Sequence, residues 1–249
     1  MSLLSVPEEA EEVAKRVVAV TWNIFLQWIT SVWEIGQHIA IIGPTGEGKT
    51  TFLKPVLDSR KWVMVLDPKG LDDTLEKYGY FRLREFPLPR QMRNDIAEGK
   101  PARIIIGGES DSEAADAHLR ELMRKAIEMC RQQGGWTLYV DEFQVLADRR
   151  MYGLDKPVER LLITSRGKKS SVLTSFQALA WVPRAATRQA SFTVMLPTRD
   201  VAMIKNVAET MGRDWKDLML AVYELPRFHM LVIPKSPTAP LVLVHPPNL

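Results

Sequence analysis

One octapeptide limits what this chain can fold into. Gly43-Pro44-Thr45-Gly46-Glu47-Gly48-Lys49-Thr50 fits the pattern G-x-x-x-x-G-K-[ST]. In that pattern a glycine-rich turn points its backbone N–H groups at a phosphate, and the helix that follows adds the partial positive charge of its N-terminus. Such a turn works only between a buried strand and a helix, and the flanks supply both. His38 to Ile42 is a short apolar run, and Thr51 to Leu57 reads as the start of a helix. The cradle is then Gly43 through Thr51, with Lys49 reaching the β- and γ-phosphates of ATP and Thr50 holding Mg2+.

A second motif supplies the other half of a metal–phosphate site. Trp136-Thr137-Leu138-Tyr139-Val140 is rich in β-branched and aromatic residues and reads as a central strand, ending in Asp141-Glu142. An aspartate at such a strand tip is a partner for Mg2+, and the glutamate beside it is placed to polarise an attacking water.

The chain walk agrees with an α/β domain. With 249 residues and 46% hydrophobic content, one large core can be buried. Further strands are expected at Trp62–Leu66, Arg103–Ile106, Ser171–Ser175 and Ser191–Leu196. Helices are expected at 112–133, 158–165 and 200–211, and a terminal hairpin pairs Phe228–Ile233 with Leu241–Val244. This alternation predicts a mostly parallel sheet with helices on both faces. A long apolar helix is expected from about Pro7 to Glu34. Residues 1–35 then form an N-terminal segment that packs on its own domain or on a neighbouring subunit, followed by an ATPase domain over 36–249 with a Pro-rich tail. The apolar stretch Val17–Trp33 carries Thr21, Asn23, Gln27, Thr30 and Ser31 and is short for a membrane span.

Other chemistries find little support. Cys130 is the lone cysteine, so no intrachain disulfide forms, and it sits in a helical pattern as a packed thiol. The four histidines lack metal-ligand spacing. The first residues are acidic rather than basic, unlike a signal peptide, and a cytoplasmic location is expected. A net charge of +3 with pI near 8.9 hints only weakly at an anionic partner.

The order GPTGEGKT, VLDPKG, TLYVDE, TSRGKKSSVLTSFQ resembles the HerA/FtsK superfamily of DNA-pumping ATPases, over residues 33–246. The resemblance implies a RecA-like fold assembled into a ring, usually a hexamer, with ATP between subunits and double-stranded DNA as cargo. It implies that Gln177 senses the γ-phosphate or attacking water, and that Arg166 reaches a neighbour's nucleotide. Arg188 and Arg199 are the alternatives for that arginine. Phe176 interrupts the usual Ser-Gln or Thr-Gln pair and shifts the glutamine by one place. The sequence shows no membrane region, winged domain or N-terminal barrel of the larger members, which points to a minimal motor of viral packaging or mobile-element type, with a capsid or portal protein as a possible docking site.

Several residues keep two readings. Arg166 could simply cap a helix C-terminus. Gln177 could serve a strand-end backbone. Asp67-Pro68-Lys69-Gly70 could be a plain turn. DNA contacts would come from Lys168 and Lys169, from Arg82, Arg84, Arg90 and Arg93, or from Arg149 and Arg150, each of which could equally be a solvated face. A motor for single-stranded nucleic acid or protein, and an ATP-gated assembly protein, share every nucleotide residue named here.

Overall fold

The computed structural model describes residues 17–44, 46–70, 74–108, 112–177 and 184–247. Within them the chain lays down β1 (Val17–Val20), β2 (His38–Ile42), β3 (Trp62–Asp67), β4 (Phe81–Arg82), β5 (Ala102–Gly107), β6 (Trp136–Val140), β7 (Ser171–Phe176), β8 (Ala190–Met195), β9 (Met230–Pro234) and β10 (Leu241–Val244). These join in one sheet in the order β1-β10-β9-β8-β2-β7-β6-β3-β5-β4. From β8 to β4 every pairing is parallel; β9 runs antiparallel to β8 and β10, and β1 is parallel to β10. The expected mostly parallel sheet and C-terminal hairpin are both present.

Strands buried on both faces are largely apolar, and β2, β6 and β7 are buried at every position, with the hydroxyls of Thr137, Ser171, Thr174 and Ser175 among the buried side chains. Successive side chains feed opposite layers. Ala40 and Ile42 join Met64, Leu66, Leu138 and Val140 under the helices Glu113–Gln133, Asp155–Lys168 and Val201–Met211. Ile39 and Ile41 join Val63, Val65 and Leu173 under the helices Trp22–Val32 and Lys49–Asp58. Cys130 lies in the first of these cores, and burial pushes its thiol well above the ordinary range, as a packed thiol requires.

The N-terminal segment departs from the expected helix over 7–34. Residues 1–16 lie outside the described part. Val17–Val20 is strand, paired with Leu241–Val244, and the helix runs only from Trp22 to Val32. Three valines in four residues prefer an extended backbone, and Thr21, extended at φ −72° and ψ 161°, marks the switch. Apolar content dominated the sequence reading, while the partner strand lies more than two hundred residues away. The helix packs on its own domain. Phe25, Ile29 and Trp33 are buried, and Phe25 stacks 5.5 Å from Phe52 of the helix behind the phosphate loop. Asn23, Gln27 and Thr30, spaced to share one helix face, are exposed. Among the described residues no helix is long and apolar enough to cross a membrane.

Candidate nucleotide site

The site forms where the carboxyl ends of β2, β3, β6 and β7 meet. Ligands of open α/β sheets bind at that edge. β2 hands the chain to the phosphate loop, whose exit is fixed by main-chain bonds. Gly43 N–H donates to the Phe176 carbonyl at 3.1 Å, and Leu196 N–H to the Ile42 carbonyl at 2.9 Å. Gly43 must be glycine, because a Cβ there would sit 2.6 Å from the Leu196 Cβ. Gly46 and Gly48 turn through φ +81° and +93°, a region side chains avoid, and Gly48 delivers the chain into the helix Lys49–Asp58.

Lys49 arches back over the loop, its ammonium donating to the carbonyls of Gly43 (2.9 Å) and Pro44 (2.8 Å). Burial lowers its pKa; the carboxylates of Asp141, Glu142 and Glu47 work against that shift and Lys69 adds to it. Thr45 lies outside the described residues, as do the side chains of Thr50 and Thr51, whose backbones are helical.

Asp141 follows β6 and is gripped by hydroxyls. Tyr139 Oη donates to its Oδ1 at 2.6 Å, and Ser175 Oγ donates to the same oxygen at 2.8 Å. Ser175 Oγ also accepts the Glu142 N–H at 3.3 Å. Neither hydroxyl was singled out from sequence. Tyr139 was recoverable in principle, since it sits two residues before Asp141 on the same strand face. Ser175 was not, because its position rests on the register that sets Val140 beside Thr174.

Glu142 takes the left-handed conformation at φ 45°, which costs a non-glycine residue about 1–2 kcal/mol. That backbone turn aims its largely buried carboxylate at two partners. Gln177 Nε2 donates to Oε1 at 2.7 Å, and Lys69 forms an ion pair with Oε2. The structure thus brings Gln177 and Glu142 together. It also decides the Asp67–Gly70 turn. Asp67 Oδ1 accepts the Gly70 N–H at 2.9 Å and shapes the turn, a Gly70 Cβ would strike the Gly108 backbone at 2.3 Å, and Lys69 projects from this tightly held turn.

The candidate arginines fall at different heights. Arg166 lies in the last turn of the helix Asp155–Lys168, its backbone against Gly36, before β2 begins, at the opposite end of the sheet from the phosphate loop. One five-residue strand separates them, roughly 15 Å. Arg188 precedes β8 at that same far end. Arg199 follows β8 at the nucleotide end, exposed, with its guanidinium 4.7 Å above the Tyr223 ring. Among the basic clusters, Arg82 is committed to Glu76 and the Gly107 carbonyl, while Arg84, Arg90, Arg93, Arg149, Arg150, Lys168 and Lys169 are exposed.

No protein-family model and no curated protein matches the chain. Solved structures do. B204, the DNA-packaging ATPase of Sulfolobus turreted icosahedral virus, superposes with TM-score 0.60 at 18% identity, covering 86% of this chain and 98% of that one. The B204 genome-packaging NTPase of Sulfolobus turreted icosahedral virus 2, in complex with ATP-gammaS, gives 0.58 at 16%, covering 85% and 98%. VirB4 of Thermoanaerobacter pseudethanolicus gives 0.57 at 11%, covering 85% and 89%. At these identities the likeness is one of fold: this chain shares the RecA-like architecture of these proteins, a mostly parallel sheet flanked by helices.

Proposed function

We propose that this chain hydrolyses ATP and works as a ring motor that moves double-stranded DNA, in viral genome packaging or mobile-element transfer. The observation that carries the reading is Glu142, held at a strand tip by Gln177 and Lys69 beside a glycine-turned anion cradle. In that place Glu142 takes a proton from water, whose oxygen attacks the γ-phosphorus. The bond from the γ-phosphorus to the β–γ bridging oxygen breaks, and ADP leaves with that oxygen. Lys49 offsets negative charge on the β- and γ-phosphates, and Gln177 orients the water. The donor set fits a hard cation. Asp141 is a carboxylate whose Oδ1 is already fixed by two hydroxyls, and Thr50 is the second residue of the loop helix. Asp141 and Thr50 would hold Mg2+ there, and the ion would supply positive charge that offsets the charge of the phosphates.

DNA as cargo is supported by the packaging ATPases that share the fold and by exposed arginines, Arg149 and Arg150, just beyond Asp141-Glu142. Contacts to phosphates carry no base preference and weaken steeply with salt. Steady-state hydrolysis should therefore rise with long double-stranded DNA, and the rise should fade as salt increases. Lys49→Ala is the blank, and Glu142→Gln should bind ATP yet turn over at least 100-fold more slowly. Hydrolysis indifferent to DNA at low salt would redirect the motor to another cargo; normal turnover by Glu142→Gln would remove it as the base.

A further inference from the structure

The phosphate chain of a nucleotide in this site has a set direction. The groups that act on the γ-phosphate, Asp141, Glu142 and Gln177, follow β6 and β7, on one side of β2. The ribose and base must leave toward the other side, over β8 and β9. The segment that rises there is the turn Pro226–His229, which leads into β9.

Three observations make that turn more than a connection. It is tied to the phosphate loop: Arg227 Nε lies 3.6 Å from Glu47 Oε1, and the Phe228 ring comes within 3.8 Å of where a Gly48 Cβ would stand. It carries an unfavourable residue. His229 N–H closes onto the Pro226 carbonyl at 3.1 Å, and the third position has φ +66°, the place where such turns take glycine or asparagine. The chain places phenylalanine there. Nor does burial offset the strain, since the ring is 38% exposed, with the Arg227 guanidinium 4.7 Å from its centroid. A bulky residue held in a sparsely allowed conformation beside a binding loop is the mark of a ligand clamp.

We infer that Phe228, backed by Arg227 and tethered through Glu47, is the seat on which the nucleotide base stacks. This rests on the ATPase reading and deepens it. Base–aromatic stacking uses the π-face, so a Phe ring suffices without base-edge hydrogen bonds. Binding of ATPγS and of inorganic tripolyphosphate, both with Mg2+, measured by calorimetry separates base from phosphate. Phe228→Ala and Phe228→Gly should weaken ATPγS about tenfold or more and leave tripolyphosphate within twofold, while Phe228→Trp retains ATPγS. Phe228→Gly relieves the backbone and should melt no lower than wild type, so its loss of affinity cannot be blamed on unfolding. ATPγS binding unchanged in both small variants, or tripolyphosphate lost in parallel, would overturn the seat. Wild type that binds neither probe would overturn the ATPase reading beneath it, and Lys49→Ala shows what that failure looks like.

Discussion

A carboxylate that holds a metal works only if it is presented in one orientation. Asp141 is oriented by two hydroxyls on one oxygen, from its own strand and from the neighbouring one. Ser175 also takes the Glu142 N–H, so one hydroxyl links the carboxylate proposed to hold the metal to the backbone of the proposed base. Removing such a supporting group typically costs 10–100-fold in metal affinity. In Ser175→Ala, Mn2+ binding in the presence of ADP, followed by electron paramagnetic resonance, should weaken about tenfold, with the melting temperature nearly unchanged. Mn2+ affinity equal to wild type would reduce Ser175 to a packing residue. Lys49 and Glu142 were legible from spacing alone because the chemistry fixes their sequence neighbours. Ser175 gained its contacts only through strand register, which no local pattern encodes. Tyr139 shares a strand face with Asp141, whereas Lys69 sits on a turn whose partner across the sheet ends was not legible.

At the scale of elements, the parallel strands were readable because burial on both faces leaves a run such as HIAII or TLYV, and helix–strand alternation then implies the crossovers. β1 escaped because its partner comes from the far end of the chain, and local apolarity suited a helix equally well. The foot of β2 shows another device invisible in sequence. His38 was only a histidine without metal spacing; in the fold its Nδ1 accepts the Val172 N–H at 2.9 Å, while Nε2 faces the Leu162 carbonyl at 3.1 Å and Ser165 Oγ at 2.7 Å. The neutral ring with its proton on Nε2 satisfies all of them. A second proton on Nδ1 would confront the Val172 N–H. Burial, helped by the nearby Arg166 charge, lowers the His38 pKa to about 4, against hydrogen bonding to the Leu162 carbonyl that raises it. The folded value lies below the unfolded one, about 6.5. The stabilisation is therefore complete above pH 6.5 and is lost as pH falls from there through about 4. It should amount to about 3 kcal/mol. Urea unfolding at pH 7.5 and 4.5 should show a wild-type loss that His38→Gln reduces by about 2 kcal/mol; equal losses in the two proteins would show that His38 does not drive it.

At the scale of the whole molecule, the question is what completes the site. Lys49 and Lys69 are the described cations near Glu142, and each already has partners. An arginine supplied by a neighbouring subunit would add 10³–10⁵ in rate and make hydrolysis depend on assembly. If subunits of a ring stand level, that arginine must come from the nucleotide end of the sheet. Arg166 and Arg188 lie at the other end, whereas Arg199 stands exposed after β8 at the right height. The resemblance to DNA-pumping ATPases pointed to Arg166; the geometry favours Arg199, and subunit mixing decides between them. Arg199→Ala alone should bind ATPγS normally and hydrolyse ATP about a thousandfold more slowly. Lys49→Ala subunits cannot hydrolyse but still carry Arg199, so adding them should restore turnover at intact sites. Arg166→Ala should stay active on its own. The reverse pattern, with Arg166→Ala inactive and rescued by Lys49→Ala, would mean that subunits meet staggered, the foot of one sheet against the nucleotide end of the next. Rescue of neither variant would mean that the site is complete within one chain.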